Sequence, residues 1–82
     1  MISYRLTSVD GARATYSYEV EGKHDDAGVA ILDIDANTCE ITEPAPTDKA
    51  VGYPWYGGKM EHALESFRKT GEFRDSGTIA WY

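Results

Sequence analysis

Tyr53-Pro54-Trp55-Tyr56-Gly57-Gly58-Lys59-Met60-Glu61-His62-Ala63-Leu64-Glu65-Ser66-Phe67-Arg68-Lys69-Thr70-Gly71 is the one stretch of the chain with helical periodicity. Met60, Ala63, Leu64 and Phe67 recur at i, i+3, i+4 and i+7, one face of a 3.6-residue period. Glu61, His62, Glu65, Ser66, Arg68 and Lys69 form the polar opposite face. Arg68 and Lys69 sit in the last turn, where the helix dipole favours cations. Gly71 fits the left-handed position that ends many helices. Pro54 suits a first helical position, but a start there encloses Gly57 and Gly58, at about 1 kcal/mol each relative to Ala. The regular helix is therefore expected from about Gly58, with residues 53–57 as a structured aromatic lead-in.

Everything outside this stretch reads as strand or loop. Residues 2–9 alternate, with Ile2, Tyr4 and Leu6 opposite Ser3, Arg5 and Thr7, the pattern of a half-buried strand. Asp10-Gly11 is a strong hairpin signal, and residues 12–20 alternate again, with Tyr16, Tyr18 and Val20 on the apolar side. Residues 21–28 read as a loop. Residues 29–35 form a third strand, whose apolar run from Val29 to Leu32 suits a central position with both faces partly covered. Ala36-Asn37-Thr38 is a turn, since Asn tolerates positive φ. Residues 39–43 form a fourth strand with Cys39 and Ile41 inward, stopped by Pro44 and Pro46. Residues 44–52 are expected to be an irregular connection. After the helix, Phe73 packs back beneath it, Asp75-Ser76-Gly77 turns, and residues 78–82 make a last strand.

The predicted fold is α+β in two layers. A five-stranded, mainly antiparallel sheet of connectivity β-β-β-β-α-β and order 4-3-2-1-5 carries one helix on one face. The expected core is Tyr4, Leu6, Tyr16, Tyr18, Leu32, Ile34, Ile41, Met60, Leu64, Phe67, Ile79 and Trp81. Eighty-two residues suffice for one domain, 1–82, with a core of about a dozen side chains. That leaves little room for a deep, dry active site.

Charge bounds the partners. The formal balance is −6. Residues 19–48 hold nine acids against one base, Lys23. An acidic middle argues against nucleic-acid binding, which needs clustered Lys and Arg, and against an anionic membrane surface. No apolar run is long enough to span a bilayer or to form a signal peptide. Cys39 is the single cysteine, so no internal disulfide forms and a cytoplasmic, reducing compartment is expected.

No stretch carries a chemistry-specific motif. Asp33, Asp35 and Asn37 begin like a calcium loop, but Thr38 stands where the sharp turn needs glycine and Pro44 where the bidentate glutamate belongs. His24, His62 and Cys39 are too scattered for a zinc site or a thiolate nucleophile with its base. Gly57-Gly58-Lys59 lacks the spacing of a phosphate-binding loop. No catalytic residue, metal or cofactor is expected.

Tyr53, Trp55 and Tyr56 are the most informative residues. Three large aromatics within four positions cannot all enter so small a core. At least one is expected to be exposed as a partner anchor, because Trp and Tyr dominate binding hot spots. With Asp25, Asp26, Asp33 and Asp35 as an acidic surface, they suggest a non-enzymatic protein-interaction module of accessory, inhibitor or immunity type. Its partner is a protein with a basic surface, drawn in electrostatically. The alternatives are a small-molecule or metal-binding domain, or a structural homodimer built on an open edge strand or aromatic patch.

Overall fold

The computed structural model describes residues 1–53 and 55–80. Five strands, β1 (Ile2–Asp10), β2 (Arg13–Val20), β3 (Ala27–Asp33), β4 (Thr38–Glu43) and β5 (Ser76–Ile79), form one antiparallel sheet of order β4-β3-β2-β1-β5. The main helix, α2 (Trp55–Thr70), packs on one face, and a short helix, α1 (Pro46–Val51), precedes it. The fold is therefore the α+β arrangement that the alternation predicts, with the expected strand order. Among the described residues no helix is long and apolar enough to cross a membrane.

The core follows from period-2 alternation meeting period-3.6 alternation. Ile2, Tyr4, Ala14, Tyr16, Tyr18, Val20, Ala30 and Leu32 are buried on the helix side of the sheet, facing Met60, Leu64 and Phe67 of α2. Tyr4, Tyr16 and Phe67 form a three-ring cluster with centroids 5.6–5.9 Å apart. Such pairs add about 0.5–1.5 kcal/mol each beyond area burial. Leu6, Ile34, Ile41, Phe73 and Ile79 pack against this core but are only half-buried. Trp81, also expected there, lies outside the described residues.

The first hairpin closes through Gly11-Ala12, because Asp10 pairs with Arg13. Gly11 takes φ +61°, the positive value a two-residue hairpin loop needs at its first position. A bulge between Leu6 and Ser8 interrupts the β1–β2 register. β5 pairs with residues 2–5 of β1, and the Leu6 N–H continues to the Asp75 carbonyl at 2.7 Å; beyond it residues 7–10 have no outer strand among the described residues.

Four expectations are corrected. Residues 44–52 are not irregular: they contain α1, with Pro46 at its start and Gly52 at φ +75° closing it. β3 begins at Ala27, not Val29, and ends at Asp33, not Asp35. Gly28 faces Tyr18 so closely that a Cβ there would lie 2.4 Å from the Tyr18 ring and 2.6 Å from the Glu43 carbonyl. The glycine is a strand residue chosen for close approach, not a loop marker. β5 likewise starts at Ser76 rather than Thr78, with Gly77 set against the Tyr4 ring and hydroxyl. Finally, α2 begins at Trp55 rather than near Gly58, so Trp55, Tyr56 and Gly57 of the expected lead-in belong to its first turn while Tyr53 stays outside the helix.

Candidate interaction surface

The early start of α2 has a cause outside the helix. Asp48 of α1 is 3% exposed, and its carboxylate accepts the Tyr56 N–H at 3.0 Å and the Gly57 N–H at 2.7 Å. These are donors that a helix start leaves without intrahelical partners. A carboxylate there also faces the positive end of the helix dipole. Gly57 permits the approach: a Cβ would sit 3.1 Å from Ile41, 3.2 Å from Asp48 and 3.3 Å from the Tyr18 hydroxyl. Its low helix propensity is offset by the contacts that its missing side chain allows.

Tyr18 ties this corner to the sheet. Its hydroxyl donates to Asp48 Oδ2 at 3.3 Å and accepts the Ala45 N–H at 2.9 Å. Burial, with Asp48 nearby, pushes its pKa up to about 12 against the pull of the Ala45 N–H. Asp26, 7% exposed, performs the matching task for α1. Its carboxylate accepts the Thr47 N–H at 2.9 Å and the Thr47 hydroxyl. Ala45, at the N-cap, offers no side-chain acceptor itself. Both helix starts are thus capped by acids distant in sequence.

This frame presents the aromatic segment to solvent. Tyr53 is 60% exposed and Trp55 47%, whereas Tyr56 is half-buried against the core. Lys59 Nζ stands 4.9 Å from the Trp55 ring centroid, within cation–π range. Tyr53 lines two adjoining grooves. One, of about 460 Å³, runs from Ile41 and Pro44 beside β4 to Lys49, Tyr53 and Glu61. The other, of about 360 Å³, includes Trp55, Lys59 and His62.

The acids named from the sequence do not converge. Asp25 and Asp26 precede β3, whereas Asp33 is its last residue and Asp35 follows it. Seven residues of strand span roughly 20 Å. Asp25 and Asp35 are exposed. Asp33 is half-buried and accepts the Ala36 N–H at 3.0 Å within the β3–β4 turn. Asp26 is no surface acid at all, because it is enclosed and spent on Thr47. Asp48 and Glu61 line the groove beside Tyr53, and Glu40 borders it from β4 with its side chain on the Ile31 face of the sheet. Sequence reasoning missed them because they come from β4, α1 and α2.

Elsewhere, half-buried Cys39 faces Glu65, and burial raises its thiol pKa, with the Glu65 carboxylate adding to the effect. Arg68 pairs with Glu65 at 2.7 Å and reaches the Asn37 side chain at 2.8 Å. His24 lies against Glu19 of β2 at 2.6 Å and is itself exposed. Among the described residues, no group of three or more His, Cys, Asp or Glu is placed to hold a metal ion. Comparison with protein-family models, with curated proteins and with solved structures finds no match to this chain.

Proposed function

We propose that the chain is a non-enzymatic protein-interaction module that engages its partner through the α1–α2 corner. One observation carries this reading. Among the described residues, three of the four exposed large hydrophobic side chains, Val51, Tyr53 and Trp55, fall within one five-residue segment. Exposed apolar residues scattered singly need no explanation, but a group of them does. The segment is also held by two buried caps, so its aromatics are presented with little ordering cost on binding. The acids beside it give the corner a sign as well as a shape. The lone cysteine favours a reducing, cytoplasmic-type compartment for this activity.

The test is affinity capture from a lysate of the native source, comparing the unaltered protein with Trp55→Ala and Tyr53→Ser. Melting curves establish first that all three are folded. A protein retained by the unaltered chain and lost by both variants supports the proposal. Equal retention by the variants refutes a contact at this corner.

A further inference from the structure

We propose that the sheet face turned away from α2 carries a site for a small zwitterion, a free α-amino acid, where β1 meets β2. The site is independent of the α1–α2 corner. Ser3 and Arg5 alternate with Ile2 and Tyr4, and Ser17 and Glu19 alternate with Tyr16, Tyr18 and Val20, all buried on the helix side. The four polar residues therefore share the opposite face. The strand register sets them at the corners of a quadrilateral, with Ser3 opposite Glu19 and Arg5 opposite Ser17. One diagonal holds two hydroxyls. The other holds opposite charges, on Cα atoms about 7–8 Å apart. With His24 from the loop between β2 and β3, these residues line a cavity of about 150 Å³. That is room for about five waters, the bulk of a small amino acid.

Arg5 and Glu19 do not neutralise each other. The residues directly across from Arg5 are Ser17 on β2 and Ser76 on β5, so no acid faces it from either side. It makes no ion pair among the described residues. Glu19 is turned toward His24, whose Nδ1 lies 2.6 Å from Oε2, and Oε1 is left over. The lining then selects by sign. A simple anion meets the Glu19 carboxylate and a simple cation meets the Arg5 guanidinium. A neutral apolar molecule takes water from all four polar groups and returns no hydrogen bond. A molecule with both charges a few bonds apart satisfies the whole set. Its carboxylate accepts two N–H bonds from Arg5, its ammonium donates to Glu19, and the Ser3 and Ser17 hydroxyls, which both donate and accept, serve either end.

The test follows amide chemical shifts of the intact chain during titration with L-alanine. Two controls are titrated separately: N-acetyl-L-alanine, which lacks the ammonium, and L-alaninamide, which lacks the carboxylate. The expected result is saturable shifts at Ser3, Arg5, Ser17 and Glu19 with L-alanine, and binding of each control about fivefold weaker. Arg5→Gln and Glu19→Gln each weaken L-alanine binding about fivefold, the upper end for one exposed ion pair. L-alanine shifts that rise linearly without saturating, a control that binds as tightly as L-alanine, or affinity retained by both variants each overturn the proposal. The comparison of the three probes uses only the unaltered protein, so it stands even if a variant folds poorly. Trp55→Ala should bind L-alanine unchanged, which separates failure of this site from failure of the corner.

Discussion

Replacing Asp48 by alanine should cost more stability than any other single change to a polar side chain in this protein. The carboxylate accepts two backbone N–H groups at 3.0 and 2.7 Å and the Tyr18 hydroxyl at 3.3 Å. Hydrogen bonds to a charged group are worth about 1.5–3 kcal/mol each, and a buried donor left without an acceptor keeps its desolvation cost. The Tyr56 N–H is only part-buried and water can replace its acceptor, so it counts for little. The Gly57 N–H is buried and counts fully. The Tyr18 hydroxyl keeps the Ala45 N–H, so it loses only its own donation, through a long bond. Adding the lost charge at the helix dipole gives about 3–4 kcal/mol. For a domain of this size that lowers Tm by roughly 12–30 °C. Asp48→Asn retains an acceptor but turns an amide N–H₂ toward donors, and should cost about half as much. Urea unfolding followed by tryptophan fluorescence measures both, with an unchanged m-value showing that the same surface is exposed. Amide exchange at Gly57 should accelerate in step with the lost stability. A cost below 1 kcal/mol for Asp48→Ala would refute the assignment of the α2 cap to this residue.

The two adjacent glycines of α2 should respond oppositely. Gly58 faces open space, so Gly58→Ala should stabilise by about 0.5–1 kcal/mol, whereas Gly57→Ala, crowded by Ile41, Asp48 and Tyr18, should lose about 1 kcal/mol net; equal stabilisation in chemical denaturation would count against the close packing. Gly28→Ala should destabilise by about 2–3 kcal/mol, since both the Tyr18 ring and the Glu43 backbone must move, and a melting temperature within a degree of the parent would contradict the β3 register. Tyr16 and Tyr18 both have pKa values pushed up to about 12 by burial. The unfolded chain ionises these phenols first, near pH 10, so their contribution is constant below that pH and stability falls between about pH 10 and 12, by roughly 2–3 kcal/mol for each tyrosine. Unfolding curves across that range, with phenolate absorbance as the second readout, check the sign; rising stability would reverse it.

The sheet was legible because its signal is local. Alternation along residues 2–9 and 12–20, a glycine turn, and Asn37 at φ +59° all lie within a few positions of the structure they specify. The helix pattern through Phe67 is equally local, and so is Gly71 at φ +72°. What escaped depends on contacts across the chain. α1 has six residues and no side-chain cap of its own, and its acceptor, Asp26, lies 21 positions before Thr47. The start of α2 hangs on Asp48, so glycine propensity alone misplaced it. Gly28 and Gly77 look like turn residues in sequence because their real role, room for Tyr18 and Tyr4, appears only once strands pair. At the candidate surface, crowding of three aromatics in four positions was enough to expect exposure. The groove was not readable, because Ile41, Pro44, Tyr53 and Glu61 come together only through the fold. The acidity of the middle is a true count that the fold divides among the two ends of β3, the edge strand β4 and two buried caps, Asp26 and Asp48.

The bulge in β1 has a consequence for how the protein behaves at high concentration. Beyond Arg5, β5 no longer covers β1, leaving residues 7–10 as a bare strand margin that includes half-exposed Val9. A straight margin of that kind recruits foreign strands and seeds fibrils. The bulge falls at the point where cover ends, between Leu6 and Ser8, and the Thr7 hydroxyl there bonds the Thr15 carbonyl. The local coiling that a bulge adds turns the bare segment out of the plane in which lateral growth would proceed. Removing Thr7 to straighten the ladder would therefore gain a regular hairpin at the cost of a margin open to lateral growth.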